Sequence, residues 1–555
     1  MKIYTCHLVS RMSLGFILSA FVTHSPSAQG FSPSTTARLQ FVIDSFQINS
    51  TNPYIGGLSA AIKVDELASW QGATGYAARN VDGQNNLLPG GTPFTTSTLS
   101  RMYSVTKTFT SALVLELARR GVFSLEDPVS KFLPLNLINP ELNSTVTIGQ
   151  LLAHESGYSN YTDELQVQIA VAYQPTHIWT PIEMLSFVHQ VSSPGSVRRY
   201  SSTNYITLGA IIEVATGKPV EQHYRERFFK PLHLRSMFLS VREPLWNGAT
   251  LAAPHDNFSP FNQVFQLTGQ PTFPDAYTNV SAFPFTGIVS LAFTGGGIVS
   301  NVADMAEWGN ALFGGRATSR STLHTMMNSI SSTPDDDGDF LGYGIFRTTK
   351  ISATDVFVGH DGNAPGYRSV MFYQPEKKMT IAILTNYHGA KLYDVAKVLY
   401  ESLPEFTCGN RNKKEDKIIV CFNGRNLCVD RHAAEILIKK TAWLCGCVKQ
   451  EETHSVCKTT IDTKHPVTGS AGMKIFPNPS SGNVSVSFKT AKAGKASIGL
   501  YNLNGKLLSV VFNGFTEKSI SQQIEIKTGY LPAGTYIIRL QTQDEASQQK
   551  LVLIK

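Results

Sequence analysis

The chain has 555 residues, which exceeds one hydrophobic core and corresponds to roughly three or four domains of ordinary size. Its 42% hydrophobic and 16% charged content excludes a disordered polymer, and no run approaches the ~18–20 continuous apolar residues that span a bilayer. The formal charge of +7 is unevenly placed: residues 1–28 carry +2, 408–470 carry +4 and 471–555 carry +6, leaving 29–407 at −5, so the largest region has no surplus of cations to hold nucleic acid.

Lys2 and Arg11 precede a short apolar run at 12–22 and the small residues Ser25, Ser27 and Ala28. This order predicts a secretory signal peptide over 1–28, cut after Ala28; a buried N-terminal helix is the alternative. Residues 30–405 then alternate between strand-like and helix-like segments. A strand is predicted over 57–64 and a buried helix over 106–120, apolar on nearly every face and closed by Gly121. Thr147 can cap a helix over 148–153, and 206–215 with Gly217 behind it reads as another. Segments 367–373 and 379–384 read as paired strands joined around Pro375. Strands at both ends and helices between them predict an α/β (α+β) fold: one sheet made from both ends, flanked by helices, with a helical subdomain inserted.

Cysteine is absent from 29–407, whereas Cys408, Cys421, Cys428, Cys445, Cys447 and Cys457 fall within 50 residues. In an exported chain this predicts a small disulfide-linked module and linker over 406–470, with fifteen possible pairings; a metal knot using Cys445, Cys447 and His432 is the alternative. From 471 the apolar period becomes two. Val484, Val486 and Phe488, then Ile524 and Ile526, then Tyr536, Ile538 and Leu540 alternate with polar neighbours, and Asn504-Gly505 marks a hairpin. These short strands predict a β-sandwich over 471–555.

Three places can carry chemistry. In Ser104-Val105-Thr106-Lys107 the serine and lysine lie one helical turn apart and so share a face. A serine hydroxyl needs a neighbouring base or cation to become a nucleophile, and the first turn of a helix offers free N–H groups to developing negative charge. Ser-x-x-Lys alone is a common pattern; an apolar helix that must bury its lysine makes it informative. Tyr200-Ser201-Ser202 precedes a helix, and a tyrosine beside a lysine can be held partly as phenolate and take the serine proton. His360-Asp361-Gly362, leading into Asn363, places a glycine on a strand edge where a substrate backbone can approach an N–H donor.

As an ordered set these elements resemble the β-lactamase and penicillin-binding protein family, in the branch that holds class C β-lactamases, D-alanyl-D-alanine carboxypeptidases and related esterases. Its second motif is Tyr-x-Asn and its third is Lys-Thr-Gly or His-x-Gly. Further matching segments are 121–129, Leu151-Leu152-Ala153-His154-Glu155-Ser156-Gly157 and Gly295-Gly296-Gly297. The resemblance covers about 40–400 and implies a β-lactamase/transpeptidase-like sheet. It further implies acylation of Ser104, proton work shared by Lys107 and Tyr200, and an oxyanion hole from the N–H groups of Ser104 and Asn363. His360, Asp361 and Gly362 would line the substrate, His154 would be structural, and the chemistry would use no metal or other cofactor. Two positions depart from the pattern. Ser202 replaces the usual Asn, which shortens or removes a substrate contact. Asp361 replaces Thr or Ser, and a carboxylate reaching the site would repel a substrate carboxylate.

In the tail, Phe476-Pro477-Asn478-Pro479, Tyr501-Asn502-Leu503-Asn504-Gly505-Lys506, Leu531-Pro532-Ala533-Gly534-Thr535-Tyr536 and the closing 550–555 resemble the C-terminal sorting domain of the type IX secretion system. That resemblance implies the secretion machinery as a partner and a final place outside the cell or on its surface; a carbohydrate-binding or adhesion sandwich is the alternative. The expected activity is a secreted serine hydrolase, most simply a D-alanyl-D-alanine carboxypeptidase-like peptidase acting on a small peptide, ester or lactam. An esterase or β-lactamase of the same family, and a non-catalytic peptide- or penicillin-binding protein, are the rivals.

Overall fold

The apolar runs at the two ends of 30–405 meet in one sheet. The computed structural model describes residues 27–48, 56–335, 337–408, 416–423, 425–440, 442–444 and most of 472–553. Strands β1 (Gly57–Val64), β2 (Ala68–Val81), β3 (Phe357–Ala364), β4 (Tyr367–Gln374) and β5 (Met379–Thr385) pair antiparallel in the spatial order β2-β1-β5-β4-β3. Ala60 opposite Ile383 ties the two ends of the region together. Short strands extend both edges: Ser27–Gln29 and Leu87–Pro93 lie against β2, and Phe346–Thr348 lies beyond β3. Apart from Ser27 and Ala28, the expected signal peptide lies outside the described residues.

The sheet has two buried faces because neighbouring side chains alternate. Helices α1 (Pro33–Ile48), α2 (Thr106–Arg119), α3 (Ser202–Thr216), α4 (Thr286–Gly296), α5 (Val302–Phe313) and α6 (Leu392–Glu401) divide between them. Ile62, Phe372 and Ile383 pack toward α1 and α6, whereas Met371 and Leu384 pack toward the helical region with Phe109, Ile206 and Trp308. Each strand thus feeds two cores, which is why the runs read as continuous apolar stretches and not as clean alternation.

Helix α2 is buried from Thr106 through Leu117, and Phe109 stacks on Trp308 with ring centroids 3.7 Å apart. It stops one residue short of the expected end, before Gly121 at φ 76°. Thr147 closes a capping box with Gln150 at the head of Ile148–Leu152. Helix α3 starts at Ser202, four residues before the predicted 206. The Asn160 side chain accepts the Ser202 N–H at 2.9 Å, so the turn through Thr203 and Asn204 runs on into the helix. Gly217, at φ 63°, closes it.

The cysteine module packs on the same unit. Strands Lys417–Phe422 and Arg425–Asp430 and helix Arg431–Lys439 bury Ile418, Val420, Ala434 and Ile438 in the core that holds α1 and α6. Cys408 is bonded to Cys428, and Cys421 is also in a disulfide. Cys445, Cys447 and Cys457 lie outside the described residues. A second unit begins after Cys457. It contains one sheet of Gly472–Phe476, Val484–Lys489 and Gln522–Ile526, and another of Leu507–Thr516, Gly494–Asn502, Gly534–Thr542 and Ala546–Leu553. Val484, Val486, Phe488, Ile538 and Leu540 form its core, so the two-residue period identified the inward face. Asn504 and Gly505 lie outside the described residues, but the strands on either side pair antiparallel. No helix among the described residues is long and apolar enough to cross a membrane.

Candidate active site

Ser104 lies in a single turn, Tyr103–Val105, that leads into α2. Tyr103 holds φ at 44°, a costly conformation for a side-chain-bearing residue, and the strain sits immediately beside the serine. Ser104 is half-buried, whereas Lys107 is fully buried. Lys107 Nζ lies 2.9 Å from Ser104 Oγ, 3.2 Å from Ser202 Oγ and 2.7 Å from the Gly295 carbonyl oxygen. Burial pushes this lysine down to about 7, against a smaller opposing pull from the Asp361 carboxylate. Near neutral pH a large share of it is therefore an amine, with a lone pair able to accept the serine proton.

The Gly295 carbonyl reaches the lysine because α4 is kinked at Phe293, whose φ is 33° and ψ −126°. The Gly295-Gly296-Gly297 run was visible in the sequence, but its hydrogen bond to Lys107, 188 positions away in the chain, was not. Ser202 does not leave a gap where the family pattern has Asn; its hydroxyl accepts from Lys107 instead.

Tyr200 lies two residues before α3. Burial pushes its ionisation well above the ordinary phenol range, with the Ser104 and Ser202 side chains pulling the other way, so it is a neutral phenol and not the partial phenolate expected. The ring stacks on His154 at 4.7 Å, and His154 Nδ1 accepts the Ser201 N–H at 3.1 Å. Burial and then Lys107 push His154 down to about 3, so it stays uncharged and acts as a support. Tyr200→Phe keeps the stack and loses only the oxygen. Acylation should fall about 10²-fold, with the melting temperature unchanged, read by stopped-flow labelling and calorimetry.

Strand β3 completes the cluster. His360 and Gly362 face the helical side with Met371 and Ser369, to which they are paired. A Cβ on Gly362 would lie 2.1 Å from the Met102 carbonyl oxygen, and Ser369 Oγ donates to that same oxygen at 2.7 Å. Only glycine allows β3, through Asn363, to run against the turn that carries Ser104. Gly362→Ala should therefore push the strand away, costing about 1–3 kcal/mol of stability and reducing kcat more than it raises KM. Denaturant unfolding and steady-state kinetics on one preparation read both effects.

His360 is fully buried, and burial and then Lys107 hold its pKa well below the ordinary value. Its Nδ1–H donates to the Asp361 carbonyl at 2.5 Å, which leaves Nε2 as an acceptor with no partner among the described residues. The nearest Asp361 carboxylate oxygen is 3.8 Å from His360 Nδ1, beyond hydrogen-bonding distance. The pleat turns the Asp361 side chain to the opposite face with Val370 and Phe372, where Lys350, Asp339, Arg368 and Tyr393 surround it. Its charge also acts on Lys107, opposing the effect of burial there. Burial, and then Asp339, push the Asp361 carboxyl up to about 6, although 35% of the side chain is exposed to screening water. Among the described residues no group of three or more His, Cys, Asp or Glu side chains is arranged to hold a metal ion.

Residues 60–400 match the family described as Beta-lactamase, and 474–555 match the Secretion system C-terminal sorting domain. Penicillin-binding protein 4 of Amycolatopsis lactamdurans is 31% identical over 156 residues, 28% of this chain and 40% of the relative. A provisionally named D-alanyl-D-alanine carboxypeptidase of Salmonella typhimurium is 30% identical over 255 residues, 44% of this chain and 57% of the relative. The chain thus spans about half the length of these relatives. Among solved structures, D-amino acid amidase from Ochrobactrum anthropi SV3 superposes with a TM-score of 0.54 at 23% identity, over 66% of this chain and 98% of the amidase. D-stereospecific amidohydrolase from Streptomyces sp. gives 0.52 at 24% identity over the same 66% and 98%. At these identities the superpositions establish a shared fold, while the match over 60–400 establishes kinship: the chain belongs to the β-lactamase family of serine hydrolases.

Proposed function

We propose that Ser104 is the acylated nucleophile, Lys107 its general base and Tyr200 a neutral proton relay, in a peptidase of the D-alanyl-D-alanine carboxypeptidase kind. The carrying observation is a lysine nitrogen 2.9 Å from the serine oxygen, buried so that its pKa is about 7. The Ser104 proton passes to Nζ as the oxygen bonds to the substrate carbonyl carbon. The N–H groups of Ser104 and Asn363 receive the oxyanion, with β3 held close by Gly362. As the tetrahedral intermediate collapses, the leaving amine takes a proton from Lys107 by way of Tyr200, and water then releases the acyl group.

The name of the Salmonella typhimurium relative supports a peptide substrate ending in D-alanine. A second reading, hydrolysis of amides or esters without a free carboxylate, is favoured by His360: held neutral, it offers an acceptor and not a cation at the third motif. Turnover of a D-Ala-D-Ala peptide, a D-amino-acid amide, a nitrophenyl ester and a cephalosporin, measured in parallel on the purified full chain, separates the two. Fastest release of D-alanine supports the first reading. Fastest turnover of the amide or ester supports the second, and stoichiometric labelling without turnover of any of the four would make this a binding protein.

The proposed organisation is a signal peptide at 1–28, hydrolase domain at 30–405, cysteine module and linker at 406–470 and sorting domain at 471–555. The match at 474–555 supports delivery by type IX machinery to the surface or the medium. Deleting 471–555 should strand active enzyme in the periplasm; unchanged delivery would defeat this part of the reading.

A further inference from the structure

The far end of α2 carries a second concentration of charge. The helix has 14 residues, about 21 Å at 1.5 Å per residue, so its C-terminal end is remote from Ser104. Arg119 and Arg120 at that end, Arg227 from the turn Arg225–Phe229 and Arg316 beyond α5 line a cleft of about 520 Å³, together with Glu116 and Glu226.

Both carboxylates are already engaged. Glu116 accepts from Arg119 at 2.9 Å and from the Ser319 N–H and Thr322 hydroxyl at 2.8 Å each, while Glu226 pairs with Lys218. Arg316 is held by Glu307 at 2.7 Å. The Arg120 and Arg227 side chains have no ion pair or hydrogen bond among the described residues. Burial, and next the charge of Arg120, lower the Arg227 pKa against a partial offset from Glu116 and Glu226, so the two guanidiniums repel one another across the cleft. Attraction to a helix C-terminus explains Arg119 and Arg120 but not Arg227 or Arg316, which come from other segments. Nor is this a general basic surface, since residues 29–407 are net negative.

Two unpaired planar forks facing one cavity suit a ligand that presents adjacent oxyanions, each able to accept two parallel N–H bonds. We propose that this cleft binds a phosphate-bearing ligand through Arg120 and Arg227, independently of the Ser104 site. The phosphates belong either to a soluble diphosphate or to a lipid headgroup.

Inorganic pyrophosphate titrated into the purified full chain at constant ionic strength, followed by calorimetry, tests this. Saturable binding is expected, weakened about tenfold or more in Arg120→Gln/Arg227→Gln, which should keep wild-type ester turnover and melting temperature. The Arg120→Lys/Arg227→Lys variant keeps the charge and the fold but not the forks, and should bind with intermediate affinity. Co-sedimentation with phosphatidylglycerol vesicles, against phosphatidylcholine controls, assigns the source: binding lost in the Gln variant identifies a headgroup, and pyrophosphate binding without vesicle binding identifies a soluble ligand. No saturable pyrophosphate binding, or equal affinity in the folded Gln variant, overturns the proposal.

Discussion

Ser104→Ala should abolish turnover, by a factor on the order of 10⁴ or more, because the hydroxyl that takes the acyl group in the proposed mechanism, 2.9 Å from Lys107 Nζ, is removed. The fold should be unaffected. Ser104 is half-buried in a turn whose backbone is fixed by the Gly362 approach, not by its own side chain. The variant should bind substrate with near wild-type affinity and form no covalent adduct, read by steady-state kinetics and equilibrium titration. A variant that still turns over at a tenth of the wild-type rate would exclude Ser104 as nucleophile.

Lys107→Ala should be nearly as damaging, at about 10⁴-fold in acylation, since among the described residues no other side-chain nitrogen lies within hydrogen-bonding distance of the serine oxygen. The wild-type pH profile carries the sharper information. The amine form is the base, so kcat/KM should rise with pH through about 7 and level off above it. No descending limb should come from Tyr200, whose ionisation is pushed upward. The same burial has a stability consequence. Between about 7 and lysine's ordinary 10.5 the unfolded chain binds a proton at Lys107 that the native chain does not, so this residue's contribution to stability increases with pH across that window. A flat rate profile from pH 5 to 9 would contradict the proposed base.

Much of the site was legible because helices and strands have fixed periods. Ser104 and Lys107 had to share a face at i and i+3, and an apolar helix had to bury the lysine. The alternation of a strand also separates His360 from Asp361. Applied to β3, it assigns them to opposite faces, which the substitution pattern alone had obscured. Other features depend on distant contacts that no local period encodes. The Gly295 carbonyl reaches Lys107 only through the kink at Phe293, and α3 begins early only because Asn160 meets Ser202. Cys408–Cys428 is one of many allowed pairings, selected when strands Lys417–Phe422 and Arg425–Asp430 come together beside Thr407–Cys408. The charge of the Arg120 and Arg227 cleft escaped the sequence for the same reason: its arginines come from three separate segments.

The most direct measurement traps the intermediate. The full chain is incubated with a fluorescent penicillin or an activated ester near pH 8, quenched in acid, digested and mapped by tandem mass spectrometry. One acyl group per chain on Ser104 is expected, absent from Ser104→Ala. Acylation of a different residue, or of Ser104→Ala at the same rate, would contradict the assignment of the nucleophile.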